Sequence, residues 1–242
     1  MDETLKVTSV LSDPTRFHIY QFIIKHHSAV SAAEISKRFD IHPNVARLHL
    51  SKLEDVQLIE SFTQKTGKGG RPSRLYKLST EAIDLHFPYR DYKLLSAVAL
   101  KSLMELGEIG QKALYKTGRE YGAKLMEKHY TTPLSRDLTV QEKIRILEDA
   151  GTVLGMYPDF EYDKSNQRIL FKINNCPFKE VASTNENHTL ICNMHTSFLK
   201  GMFETLFANI ELVEQENMFQ GCANCLYVAK LGNVSSNSFT RS

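Results

Sequence analysis

Three short amphipathic bursts between Asp13 and Phe62 decide most of what this chain can become. "PTRFHIYQFIIKH", "AAEISKRF" and "NVARLHLSKLEDVQLI" repeat apolar residues at helical spacing. Helices of this length are marginal alone, so each must bury its apolar stripe against the other two. Their starts are marked by Asp13 before Pro14, by Ser31 three residues ahead of Glu34 as a capping box, and by Pro43 as a first helical residue. Only "DIH" separates the second burst from the third, the spacing of a helix-turn-helix.

In the third burst Ala46, Leu50 and Leu53 share one side with His49 at its border, and Asn44, Arg47, Leu48 and Ser51 share the opposite one. That opposite face offers an amide, a guanidinium, an apolar group and a hydroxyl. These suit base edges in the major groove, with Leu48 placed to touch a thymine methyl. Taken alone, the same face reads equally well as a solvated helix surface. The next segment shifts the balance. "LIESFTQKTGKGGRPSRLYKLS" alternates on both sides of a turn holding Gly67, Gly69, Gly70 and Pro72, and so predicts two strands around a loop. Residues 60 to 80 carry Lys65, Lys68, Arg71, Arg74 and Lys77 against Glu60 alone, although the whole chain has a net charge of only +2. A basic wing of this kind lays Lys68, Arg71 and Arg74 on phosphates or into the minor groove, which makes a double-stranded DNA operator the expected partner.

At 242 residues the chain fits one large or two small domains, and 42% hydrophobic content suffices for ordinary cores. No window approaches eighteen uninterrupted apolar residues, and "MDETLKVTSV" lacks the basic and apolar regions of a signal peptide. The expectation is a soluble, cytoplasmic protein with no membrane partner. "EAIDLHFPYRD" loses the strand pattern at Pro88 and marks a boundary. We therefore expect a winged helix-turn-helix domain over 1–85, a helical linker and dimerisation region over 86–135, a C-terminal sensor domain over 136–232 and a disordered tail over 233–242.

Beyond that boundary come three helical stretches, "YKLLSAVALKSLMELGE", "IGQKALYKTGREYGAKLMEKHY" and "TVQEKIRILEDAGTVLGM". "DFEYD" and "RILFKIN" then form a hairpin around "KSNQ". A short helix at "FKEVAS", a long one at "LICNMHTSFLKGMFETLF", and strands at "NIELVEQ" and "CLYVAKL" complete an α+β fold class. The first stretch carries Leu94, Leu95, Val98, Leu103 and Leu106, enough apolar surface to pair with a second copy of itself; burial within its own domain is the alternative. A homodimer is the expectation, because one winged helix reads one half-site and two-fold operators need two.

All four cysteines, Cys176, Cys192, Cys222 and Cys225, fall in the C-terminal third. A reducing compartment disfavours persistent disulfides, which leaves metal binding, a redox switch, or thiols that only pack as small hydrophobes. Cys222 and Cys225 form a Cys-x-x-Cys, whose two thiolates can reach one ion, as in zinc and iron-sulfur ligation. The other separations match no compact zinc finger, so any site must be assembled by the tertiary fold. His195 lies one helical turn after Cys192 on the same face, and His188 is a more distant candidate. The histidines in "KHH" at 25 to 27 suit a helix C-terminus, where positive charge is favourable. There is no Gly-x-Ser-x-Gly, no Walker loop and no His-Glu-x-x-His, so no enzyme is expected.

"DPTRFHIYQFI", "VARLHLSKLEDVQLI" and "GRPSRLYKLS" resemble the winged-helix domain of ArsR-like bacterial transcriptional regulators, in the branch of SufR-like iron-sulfur biogenesis repressors. One departure is Gln57, where that family usually has glycine after the recognition helix. "NCPF", "CNMH" and the cysteine before "LYVAK" resemble the family's sensor region. The likeness is strongest over 13–79 and 171–228. It implies that Cys176, Cys192 and Cys225 match cluster-binding cysteines, with Cys222 or His195 as the fourth ligand. It also implies an iron-sulfur cofactor whose ligated form represses its target genes. The alternatives are a metal-free switch using Cys222 and Cys225, a structural zinc, or a small-molecule or protein-binding C-terminal domain with unligated thiols.

Overall fold

The computed structural model describes residues 2–26, 28–64, 73–79, 82–83, 85, 88, 90–129, 138–184 and 188–232. The chain divides into two compact units, Met1–Arg90 and Asp91–Ser242. Both combine helices with antiparallel sheet, so the fold class is α+β with an N-terminal helix-turn-helix domain.

The first unit contains α1 (Asp2–Leu11), α2 (Pro14–His26), β1 (Val30–Ser31), α3 (Ala32–Phe39), α4 (Pro43–Asp55), β2 (Ile59–Gln64) and β3 (Ser73–Leu78). The helix starts follow their caps. Asp13 Oδ1 accepts from the Arg16 amide at 2.9 Å, Ser31 Oγ from the Glu34 amide at 3.2 Å, and His42 Nδ1 from the Asn44 amide at 3.2 Å. Glu34 does not feature in a two-way capping box; its carboxylate faces His26 Nε2 at 3.3 Å. The turn into α4 begins at Asp40, whose φ of +50° is left-handed, and the Ile41 amide returns to the Ser36 carbonyl. Ile19, Ile35, Leu50 and Leu53 are fully buried and unite the three helices. The sheet runs β1-β3-β2, with Val30 opposite Tyr76 and Ile59 opposite Leu78. Two elements have no counterpart in the sequence reading: α1, which buries Val7 and Val10, and the two-residue β1.

The second unit contains α5 (Tyr92–Glu105), α6 (Glu108–His129), α7 (Val140–Val153), β4 (Pro158–Asp163), β5 (Arg168–Ile173), α8 (Lys179–Thr184), α9 (His188–Leu206), β6 (Ile210–Glu216) and β7 (Cys225–Leu231). The sheet order β4-β5-β7-β6 inserts the last strand between β5 and β6. Phe171 on β5 lies against Phe160 and Tyr227 on its neighbours and against Phe203 of α9, which lays that helix over the sheet. The segment read as a linker and dimerisation region contributes α5 and α6, which belong to this same unit. α6 runs along α9 with almost no side chain between them: a Cβ on Gly122 would lie 2.0 Å from the Phe198 carbonyl oxygen, and one on Gly201 2.0 Å from that of Arg119. Beside this seam Arg119 Nε donates to Glu204 at 2.6 Å. No described helix is long and apolar enough to cross a membrane. The expected tail over 233–242 lies outside the described residues.

Candidate functional site

Two groups of residues carry chemistry, one in each unit. In the first unit, α4 buries Ala46, His49, Leu50 and Leu53 and exposes Asn44, Arg47, Leu48 and Ser51. Leu48 is 55% exposed, an apolar side chain offered to solvent in the middle of a polar face. Arg47 Nη1 donates to Asn44 Oδ1 at 2.6 Å, so the guanidinium and the amide are held together one turn apart. His49 is turned inward, where its Nδ1 faces Arg16 Nε at 3.5 Å, and burial lowers its pKa. Arg16 also donates to the Val10 carbonyl at 2.9 Å, which ties α1 to this contact.

The end of α4 is a Schellman turn. The Leu58 amide donates to the Leu53 carbonyl at 3.1 Å and the Gln57 amide to that of Glu54 at 2.9 Å. Gln57 occupies the left-handed position at φ +58°, where the resembled family has glycine. From this end Glu54 reaches the wing. Arg74 Nη2 donates to both its carboxylate oxygens, at 2.9 and 2.6 Å, and Arg74 Nε donates to Ser61 Oγ at 2.9 Å. The Arg74 guanidinium also lies over the Tyr76 ring at 5.4 Å. Arg74 therefore fastens the base of the wing to the recognition helix, a role the sequence did not suggest. Lys68 and Arg71 lie outside the described residues.

In the second unit, Cys176 follows β5, Cys192 and His195 lie on successive turns of α9, Cys225 opens β7, and Cys222 sits just before it. Cys176 and Cys225 are buried, and Cys192 and Cys222 half-buried; all four are free thiols. Cys176 Sγ lies 3.8 Å from His195 Nδ1. If ionised, Cys176 would be destabilised by charge on Cys225 and Cys192, and Cys225 by charge on Cys192 and Cys222. Burial pushes the Cys176 thiol up to about 12 and raises Cys192 and Cys225 as well. Burial likewise lowers His195 to about 4, so its imidazole is neutral, and its Nε2 has no hydrogen-bond partner. Phe178 meets the His195 ring edge-on at 5.1 Å. His188 is stacked on Phe219 at 5.5 Å. Among the described residues, no three His, Cys, Asp or Glu side chains are already spaced to share one ion.

A polar chain that the sequence did not reveal runs beside these thiols. Asn217, buried, donates to Glu214 Oε1 at 3.0 Å and accepts from the Phe219 amide at 2.8 Å, and Tyr227 Oη donates to Glu214 Oε2 at 3.0 Å. The Met218 amide points at Cys225 Sγ at 3.4 Å. A register shift between Glu214 and Glu216 in the β6–β7 pairing accompanies this arrangement. No residue motif announces such a bulge, since it belongs to the pairing of two strands.

Residues 11–61 match the family described as a helix-turn-helix domain. No curated protein matches the sequence. Among solved structures the chain is similar to a trafficking protein particle complex subunit 3 from Naegleria fowleri covalently bound to palmitic acid, at 12% identity and a TM-score of 0.40, covering 58% of this chain and 97% of that one. The first unit is thus a helix-turn-helix domain of the kind that DNA-binding transcription regulators carry.

Proposed function

We propose that the protein is a transcriptional repressor that binds a double-stranded DNA operator as a homodimer, with its affinity set by an iron-sulfur cluster on the C-terminal cysteines. Zinc is the alternative ion. The observation that carries the sensor half is the 3.8 Å approach of Cys176 Sγ to His195 Nδ1, with Cys192 on the same helix as His195 and Cys225 on the strand paired with β5. The donor set fits such a group: soft sulfur ligands, a neutral imidazole, and a buried ring nitrogen that lacks a partner. When bound, an iron-sulfur cluster or soft ion supplies thiolate crosslinks among these elements.

Cys176, Cys192 and Cys225 give up protons that burial otherwise holds on them, so loading is opposed by acid. His195 or Cys222 completes the set. Asn217 lies within influence of Cys192, Glu214 holds Asn217, Tyr227 holds Glu214, and Phe178 shields His195 from water. α9 carries two of these residues and is held backbone to backbone against α6, so a change at the thiols reaches α6 and α5 as a change in helix placement. In a dimer this biases the spacing of two recognition helices against half-sites about one helical turn apart.

Burial raises the Cys225 thiol, which weighs against Cys225 as the attacking thiolate of the metal-free switch. The test is anaerobic purification followed by iron, acid-labile sulfide and zinc analysis, with operator binding measured before and after removal of the group. Iron with sulfide, and DNA affinity that falls when they are removed, is the expected result. Stoichiometric zinc with DNA binding indifferent to oxidants would make the site structural. Metal-free protein with four titratable thiols would sink the reading.

A further inference from the structure

α5 has no buried residue, although most of its residues are apolar. At about 100° per residue, Tyr92, Leu95, Val98, Ala99, Ser102 and Leu106 fall in one stripe roughly 120° wide. All six are exposed, Leu95 at 64% and Leu106 at 61%, and none is charged. The half-buried Ser96, Leu100, Leu103 and Met104 lie to one side of this stripe, the side α5 turns towards α6. The opposite edge carries Lys101 and Glu105, one turn apart.

From these features, and resting on the homodimer reading above, we infer that α5 pairs antiparallel with α5 of a second copy of this chain about a two-fold axis near Ser102. In a parallel pair each Lys101–Glu105 edge would meet the partner's α6 edge, which is already covered. In an antiparallel pair like edges meet like, in reverse. Lys101 of each copy then faces Glu105 of the other, so the surface is complementary to itself in charge as an isologous interface requires. Ala99 and Ser102 sit at the crossing, small enough to let the two helices approach, with Leu95, Val98 and Leu106 closing over them. The N-terminal unit ends at Arg90 and α5 begins at Tyr92, so the pairing lies next to the DNA-binding unit in the chain.

Sedimentation of the full chain without DNA tests this. Wild type is expected to dimerise at micromolar concentration. Val98→Glu, which buries an unpaired carboxylate against the apolar surface at Leu106 in the antiparallel register, should weaken the dimer about 100-fold. Because Val98 is 56% exposed, the thermal midpoint of the monomer should not move. Lys101→Glu and Glu105→Lys should each weaken association, and the double substitution should restore it. A monomeric wild type, a Val98→Glu dimer as tight as wild type, or a double variant weaker than both singles would overturn the inference. A stable dimer that ignores DNA would leave it standing and sink the repressor reading, so the two failures are distinguishable.

Discussion

At Arg47 the guanidinium is presented already braced by Asn44, which lowers the ordering cost of a base contact. Replacing it with alanine should weaken operator binding by about 1–3 kcal/mol and relax preference at one base pair, as read by competition with single-base operator variants. Arg74 should behave differently. Its removal leaves the Glu54 carboxylate without its guanidinium and unfastens the wing, so Arg74→Ala should lower both DNA affinity and the thermal midpoint. The exposed face of α4 was legible because helical geometry follows from spacing alone. The Arg74–Glu54 pair was not, since it joins residues that only the fold brings together. Gln57 stood out because the resembled family has glycine at that place. A left-handed non-glycine residue costs about 1–2 kcal/mol, part of which glycine returns through its own entropy. Gln57→Gly should therefore stabilise the first unit by about 0.5–1 kcal/mol in denaturant unfolding, and an unchanged midpoint would show that the turn is unstrained.

At the level of elements, most helices and strands followed from periodicity and caps, as at Asp13, whose side chain caps α2. α1 was passed over because its apolar residues are too few to stand out; only packing through Val7 and Val10 gives it a place. The α6–α9 seam was equally silent, for three glycines in two distant helices mean nothing until the helices meet. Its cost of disturbance is graded by distance. A Cβ on Gly118 would approach the Met194 carbonyl oxygen at 3.1 Å, a small adjustment, whereas Gly122 and Gly201 leave 2.0 Å against backbone that cannot yield without moving the helix. Gly122→Ala and Gly201→Ala should each destabilise the second unit by about 3 kcal/mol or more, and Gly118→Ala by about 1 kcal/mol. Equal losses at all three positions in thermal unfolding would contradict the seam.

For the whole molecule, the buried thiols and imidazole make stability a function of pH. His195 is lowered from 6.5 to about 4 in the fold, so the unfolded chain binds the extra proton between those values. Metal-free protein should lose stability as pH falls from about 6.5 to about 4, and His195→Asn should flatten that limb of the midpoint profile. Cys176 has the opposite sign. Raised from 9.0 to about 12, it favours the fold below pH 9 and withdraws that support as pH climbs towards 12, a limb that Cys176→Ser should remove. The individual ligand candidates were visible as residue types. Their convergence, and the Glu214–Asn217 support beneath them, depended on a sheet order that no local pattern encodes.

The place of β7 has a consequence for biosynthesis. This strand is the last of the sheet to be translated, yet it fills the gap between β5 and β6 and brings Cys225 with it. Until β7 has been made, β5 and β6 each wait with an open edge. Such edges are the surfaces that chaperones guard. The sheet of the second unit is therefore closed by the last of its strands to be made, in one step that also carries Cys225 into place.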